Sequence, residues 1–471
     1  MIRRERRVRK AVTRWRAALL WGGVALAVAG PALGETLEFR QCVDMALRQN
    51  PDLKASQAQI AQAEGALRQA GGNRFPKLVA SITATRSDDA LNAFGLKLSQ
   101  RDATFSDFGA GEFNPANPNV LGVAPYNLNH PDAVTNYNTR LELQIPVYNG
   151  GMIQGYVDQA RAYVRAAQHG DTMARQQLIF HVLQAYEGVH AAQAYVKVAT
   201  QAQAAAEAYL KTTESLFKQG VVVRSEVLTA QVNLENVKVQ LEQARNGEAT
   251  ALDQLHLLLG LPLDRPLAVG APVMPGLPEA SVAQLQAQAV AGNPGVQALR
   301  QQLDGAAAGV KVARAAAYPH FNLMARQDWN KSTLGLDAPS YTVGGVLSWQ
   351  LFDAGSTRGA VDRAEAGRGE LVARLRQAED GVRFQVRDAW RKASEAQRRV
   401  AARELAVSQA GEAQRLVSTR HANGVATMVE VLAAQAQLDK ARADLVAARY
   451  DEAVQRAALR LAAGQLEADQ F

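Results

Sequence analysis

Two glutamates, Glu226 and Glu430, each stand six residues after a glycine, Gly220 and Gly424. The stretches around them, FKQGVVVRSEVLTAQ (217–231) and RHANGVATMVEVLAAQ (420–435), share one pattern: Gly-Val, four residues, Glu-Val-Leu, one residue, Ala-Gln. Carboxylates gathered in a constriction favour cations by field strength, and crowding raises some of their pKa values. Arg224 could add a cation from the first turn, and His421 facing Glu226 would make a pH-sensitive contact. A plainer reading stands beside this one. Both glutamates fall where a returning helix begins, and acids there suit the helix macrodipole. Ser225 can serve as an N-cap, and TMVE (Thr427 to Glu430) is a capping-box pattern. Val223 occupies the matching position in the first stretch, so a capping box does not explain Glu226.

No catalytic constellation accompanies these residues. His181 and His190 are nine apart and lack HExxH spacing, and the GAG at Gly109 is no dinucleotide fingerprint. The sequence contains no Walker loop, GxSxG or cysteine-rich metal pattern, so no enzyme, cofactor or metal is expected.

The elements that carry the two turns are themselves written twice. NPDLKA at Asn50 returns as NPGVQA at Asn293, and FPKL at Phe75 as YPHF at Tyr318, both at an offset of 243. From IPVYNGG (Ile145) and WQLFDAG (Trp349) onward the offset is 204. The first half therefore holds 39 extra residues between Pro76 and Pro146, in a stretch rich in Asn, Asp, Gly and Pro that reads as a long loop. Five prolines in residues 260–280 mark a linker between the halves.

Each half predicts the same order. A helix is interrupted at Asn-Pro, then come two strands, then two long helices joined by the glycine turn. Leu78, Ala80, Ile82 and Ala84 alternate with Val79, Ser81, Thr83 and Thr85; Leu141, Leu143, Ile145 and Val147 alternate with Arg140, Glu142 and Gln144. Such period-2 patterns predict strands over 78–86 and 139–148 with one apolar and one polar face. In the second half Val343, Leu347, Trp349 and Leu351 alternate with Thr342, Ser348 and Gln350, and a less regular strand is expected near 321–326. Proline-free helices are expected over 152–218 and 357–420, each roughly 100 Å long at 1.5 Å per residue. The returning helices, 225–259 and 429–463, carry narrow seams at Leu234, Val237, Leu241, Ala244 and at Leu438, Ala441, Leu445, Ala448. Glycines 220 and 424 fit left-handed helix ends. Tyr148, Trp349 and Phe352 fall where strands meet helices, as either an interfacial aromatic girdle or junction packing.

The N-terminus sets the compartment. A basic stretch to Arg16, the apolar run AALLWGGVALAVAG (17–30) and small residues at Ala32 and Gly34 read as an export signal over 1–34, with an uncleaved anchor as the rival. Fourteen apolar residues are short for a membrane span. FRQ before Cys42 does not suit a lipoprotein signal, and a lone cysteine forms no intrachain disulfide. Of 52 Lys and Arg and 45 Asp and Glu, residues 1–34 hold eight and one, which leaves 44 of each. The mature chain is neutral, so the basic precursor gives no reason to expect nucleic acid. The remaining chain divides into a first repeat (35–259), a linker (260–279), a second repeat (280–466) and a short tail (467–471).

Four strands cannot close a membrane barrel, since single-chain barrels begin at about 8, and an open sheet cannot sit in lipid with unpaired edges. Either the strands form a small soluble sheet, or several chains share one barrel. Three chains would give twelve strands and twelve long helices. NPDL and NPGV, FPKL and YPHF, IPVYNGG and LFDAG, and the two GV…EVL turns, in this order over roughly Glu35 to Leu466, resemble the TolC-like outer-membrane efflux and secretion channel family.

The resemblance implies a mainly α fold with a small β part. It implies a homotrimer that forms a 12-stranded barrel in outer-membrane lipid above a periplasmic α-helical tunnel. It further implies that the chain passively conducts substrate from an inner-membrane transporter, through a periplasmic adaptor. The hairpin turns would be the periplasmic tip. Gly220, Val221, Ser225, Gly424, Val425 and Thr427 would then touch the adaptor, and Glu226, Glu430, Arg224 and His421 become pore-constriction candidates. Second-half turns of that family often carry a tyrosine before the glycine and an arginine after it, which latch the closed tip. Here those positions are His421 and Ala426, and a further acidic position is Ala433, so the sequence departs from the family's latch pattern. A periplasmic adaptor or an envelope scaffold is the alternative. Adaptors usually have one hairpin beside a compact β domain, and this chain has two hairpins with amphipathic strands.

Overall fold

Asn50 and Asn293 explain how each half begins. Each has extended backbone, and its side-chain oxygen accepts N–H groups of the following turn, from Asp52 in one half and from Gly295 and Val296 in the other. Proline at the first helical position suits a helix start because its missing N–H would have no partner there. The Asn-Pro pair thus ends one helix and starts the next. In the computed structural model, which describes residues 35–423 and 425–467, this gives α1 (Phe39–Gln49) then α2 (Pro51–Gly72), and later α7 (Val282–Gly292) then α8 (Pro294–Ala315). The signal expected over 1–34, Gly424 and residues 468–471 lie outside the described residues.

The strands follow in antiparallel order β2 (Lys77–Ser87), β3 (Val134–Tyr148), β5 (His320–Lys331) and β6 (Pro339–Ser348). The register runs unbroken along most of the sheet and places Leu78, Leu143, Ala325 and Val343 in one cross-strand row. Ser81, Arg140, Asp328 and Ser340 form a row on the opposite face. Much of the apolar face is uncovered among the described residues: Leu78, Ile82, Val343 and Leu347 are all exposed. The polar face carries a network. Arg140 Nε donates to Asp328 Oδ1 at 2.7 Å, Arg326 stands 3.3 Å from Oδ2, and Asn138 Nδ2 donates to Asp328 and Asn330 at 3.1 Å.

Beyond the strands stand the long helices α5 (Met152–Lys218), α6 (Arg224–Leu259), α9 (Ser356–Ala422) and α10 (Met428–Ala462), within two residues of their expected bounds. α5 pairs with α6 and α9 with α10; α5 also packs on α2, α8 and α10. On the seams, Leu234, Leu241, Leu438, Ala441 and Ala448 are buried. The main core lies midway along α5. There Leu183, Val182, Tyr186 and Val189 pack with Phe39, Cys42 and Val43 of α1 and with Leu255 and Leu259 of α6. A second core seats Leu285 and Ala289 of α7 against Val382, Val386 and Ala389 of α9.

Five local expectations need correction. The linker is not bare chain: β4 (Leu267–Val269) pairs in parallel with β1 (Glu35–Leu37), and Tyr186 Oη donates to Ala271 O at 3.0 Å. Three-residue strands leave no alternation to read. The long first-half loop contains helices α3 (Ala90–Gln100) and α4 (Tyr126–Asn129), and β3 begins at Val134 rather than Thr139. The early residues of β3, Val134 to Asn138, lack an apolar–polar alternation, and α3 packs against this end of the strand. β5 runs to Lys331, past the expected 326, with Asp328 and Asn330 inside the network. β6 ends at Ser348, so Trp349 and Leu351 lie beyond it; Trp349 Nε1 instead donates to Ala317 O at 3.1 Å.

Strand becomes helix through two successive left-handed residues in each half, Gly150 and Gly151 (φ 60° and 86°) and Ala354 and Gly355 (φ 52° and 86°). A Cβ on Gly150 would stand 2.7 Å from Tyr318 Cβ and 2.8 Å from Ala315 O, whereas Ala354 occupies the matching site at a backbone cost of roughly 1–2 kcal/mol. Gly150→Ala is therefore expected to lower the melting temperature of detergent-extracted protein clearly. Ala354→Gly is expected to hold or raise it, as read by far-ultraviolet circular dichroism.

Candidate functional site at the hairpin turns

The first turn closes α5 in a Schellman arrangement. Gly220 adopts φ 75°, its N–H reaches Phe217 O at 2.9 Å, and Val221 N–H reaches Leu216 O at 2.9 Å. The second turn repeats the outer bond, Val425 N–H to Arg420 O at 2.9 Å. Each chain end then extends for a few residues before the next helix. Val221 and Val425, 63% and 67% exposed, project from the two tips together with Val223 and Val429.

The returning helices start differently. Thr427 is the N-cap of α10, and its hydroxyl accepts the Glu430 N–H at 3.4 Å. The Glu430 carboxylate answers by accepting from the Thr427 N–H and hydroxyl, both at 3.2 Å. These bonds, with help from the Arg420 charge, hold the Glu430 carboxyl below its ordinary range. The rise expected from crowded carboxylates is thus not a property of one chain. The N-cap of α6 is Val223, which has no side-chain cap to offer; Ser225 is already inside the first turn, which corrects its assignment as N-cap. Glu226 is half-buried and its carboxylate makes no hydrogen bond among the described residues, as the absence of a capping partner implied.

Arg224 is exposed, and His421 is half-buried in the last turn of α9. No ion pair or hydrogen bond joins His421 to Glu226, or Arg224 to a carboxylate, among the described residues, so one chain does not bring these four together. Two features went unread in the sequence. Arg420 is the cation beside Glu430. Tyr209 of α5 ties the two hairpins: its hydroxyl lies 3.3 Å from Ser418 Oγ and accepts from Gln414 Nε2 at 2.5 Å. The repeat offers no signal for Tyr209, because its partner position is Ala413.

Between α5, α6 and α10 runs a groove of about 1140 Å³. Its walls are small residues, such as Ala192, Ala199, Ala244 and Ala443, interrupted by Asn236, Gln240, Tyr195 and Asp439. Burial raises the Asp439 carboxyl, against hydrogen bonding from Gln435. No group of His, Cys, Asp and Glu suited to a metal occurs among the described residues, and no described helix is long and apolar enough to cross a membrane.

A two-faced sheet whose strands have 10 to 15 residues, long enough to span lipid when tilted, stands on two helical hairpins of roughly 100 Å. That combination defines an outer-membrane channel protein with a long periplasmic extension. The chain belongs to the outer membrane efflux protein family, whose model matches residues 42–261 and 285–465. It is 29% identical over 346 residues to the alkaline protease secretion protein AprF of Pseudomonas aeruginosa, covering 70% of each chain. It is 24% identical to the outer membrane efflux protein BepC of Brucella suis, over 75% of this chain and 78% of that one. Its fold matches the CmeC outer membrane channel of Campylobacter jejuni with a TM-score of 0.75 at 17% identity, over 91% and 86% of the two chains. The adaptor and scaffold readings give way to this membership.

Because the Glu430 carboxyl is depressed in the folded chain, the cap it makes is complete above the ordinary carboxylate range and is lost as pH falls through the depressed value. Thr427→Ala removes the cap at every pH. Amide exchange at residues 428–431 should then quicken a few-fold near neutrality, while exchange at the first turn of α6 stays unchanged.

Proposed function

We propose that three copies of the chain close into one exit duct, a 12-stranded barrel above a tunnel of twelve helices. The duct passively conducts substrate delivered by an inner-membrane transporter, as part of a tripartite efflux or type I secretion system. The observation that carries this reading is the sheet itself. Its outer strands β2 and β6 have no partner on their free edges among the described residues, and its apolar face is bare. Edges cannot remain unpaired in lipid, and neighbouring copies supply the missing pairs. The polar network of Arg140, Asp328 and Asn138 then faces the lumen.

The tips are the natural place for a periplasmic adaptor. Gly220, Val221 and Ser225 on one turn, and Gly424, Val425 and Thr427 on the other, offer a ring of six turns in three copies. Exposed valines supply apolar contact there. Glu226 and Glu430 from three chains would set the constriction, with Arg224, Arg420 and His421 as surrounding cations or titrating groups. Tyr209 with Gln414 and Ser418 supports a latch inside each copy, in place of one that uses tyrosine and arginine at the second turn.

Planar-bilayer recordings of detergent-extracted protein test this reading. Wild type should conduct with a preference for cations, and Glu430→Gln should weaken that preference without abolishing conductance. Preference unchanged in both Glu430→Gln and Glu226→Gln would remove the carboxylates from the pore. Well-folded protein that washes free without detergent would remove the channel.

A further inference from the structure

The connection between β2 and β3 has 46 residues, 88–133, where β5 and β6 are joined by seven, 332–338. It is folded. Asp89 caps α3 through Asn92 N–H at 2.9 Å, and α3 ends at Arg101 in the left-handed region with φ 61°. Lys97 pairs with Asp107 at 2.5 Å, and Phe94 meets Phe108 edge-on at 4.8 Å.

What matters is where α3 stands. Gln100, buried at its end, donates from Nε2 to Thr135 O at 2.8 Å and to Asn136 Oδ1 at 2.9 Å. Asn136 in turn donates to Asn330 Oδ1 at 3.0 Å. Arg101 holds Pro339 O at 2.5 Å. Asn136 shares its face with Asn138 and Arg140, so α3 is anchored over the polar face of the sheet, at the end away from the long helices. Its other flank is bare: Leu91 and Leu98 are 81% and 49% exposed. They lie seven residues apart, on one helical stripe. Gly95 sits between them, with nothing within 4 Å of where its Cβ would be.

Closure decides what meets that stripe. Twelve strands about 4.8 Å apart and tilted about 40° enclose a backbone diameter of roughly 24 Å. Three helices about 10 Å thick need roughly 22 Å when packed side by side. We propose that α3 from three copies converges on the Leu91–Gly95–Leu98 stripe and plugs the outer mouth of the barrel, a second constriction at the end opposite the hairpin tips. This rests on the three-copy duct proposed above. The occupant of each apolar flank is then the same helix of the two neighbouring copies, and outgoing substrate must part them.

Cysteine chemistry on the full-length protein in intact cells tests the plug. Leu98→Cys, with Leu91→Cys as the second variant, should form disulfide-linked copies under mild oxidation. The native Cys42 does not interfere, because it is buried and its thiol is pushed up to about 12. Ser81→Cys, on the lumen face about four residues below α3, reports the opening. A bulky, membrane-impermeant maleimide added outside should label it about tenfold faster when residues 90–129 are replaced by a short turn. Trimers that form no disulfide at either leucine position, with Ser81→Cys labelled equally fast in both chains, would overturn the plug and leave the duct standing. Single chains on light scattering after detergent extraction would overturn both.

Discussion

Everything in this molecule follows from a sheet that no single chain can finish. Four strands with one apolar and one polar face have no stable home alone. In water the apolar face is exposed, and in lipid the free edges of β2 and β6 strand a row of backbone N–H and C=O groups. Pairing those edges with other copies satisfies both requirements at once. In the proposed duct the same pairing dictates the rest: each copy delivers its helices around a common axis, and the polar rows look inward.

The helices answer that demand with little side-chain bulk. α5 and α9 each run 67 residues, and their seams are made largely of alanine and single leucines or valines. Thick cores lie midway, where α1, α7 and the β1–β4 pair wrap around them. The wrap uses specific polar bonds. Glu187, whose carboxyl burial raises to about 7, accepts the Val273 N–H at 2.6 Å, and Arg460 donates to Gly276 O at 3.0 Å. The stretch read as a linker is therefore a belt. The two ends are built on opposite principles: the turns expose valines and carboxylates, and the far end of the sheet carries a helix seated on amides.

Much of this was legible because repetition and periodicity are local signals. The Asn-Pro breaks, the two glycine turns, the Thr427–Glu430 cap and the clean alternation of 139–148 follow from residue types at fixed spacings. The parts that escaped depend on distant partners. Tyr209 meets Gln414 and Ser418 across about two hundred positions, and β4 finds β1 across a similar distance. The three-residue strands have no period of their own. α3 is the instructive case. Asp89 before Ala90 is a cap signal, and Leu91, Phe94 and Leu98 have helical spacing, yet the Asn, Gly and Pro around them dominated the reading. The gate candidates Glu226, Arg224 and His421 show the other limit: sequence spacing places them at the two turns, and one chain leaves them apart among the described residues.

Electron cryo-microscopy of the detergent-extracted protein tests directly whether copies of the chain close the sheet. The expected result is three copies around one axis, with β2 of each hydrogen-bonded to β6 of its neighbour in a closed barrel. An isolated chain with an open sheet, or an assembly in which those edges remain unpaired, would contradict it.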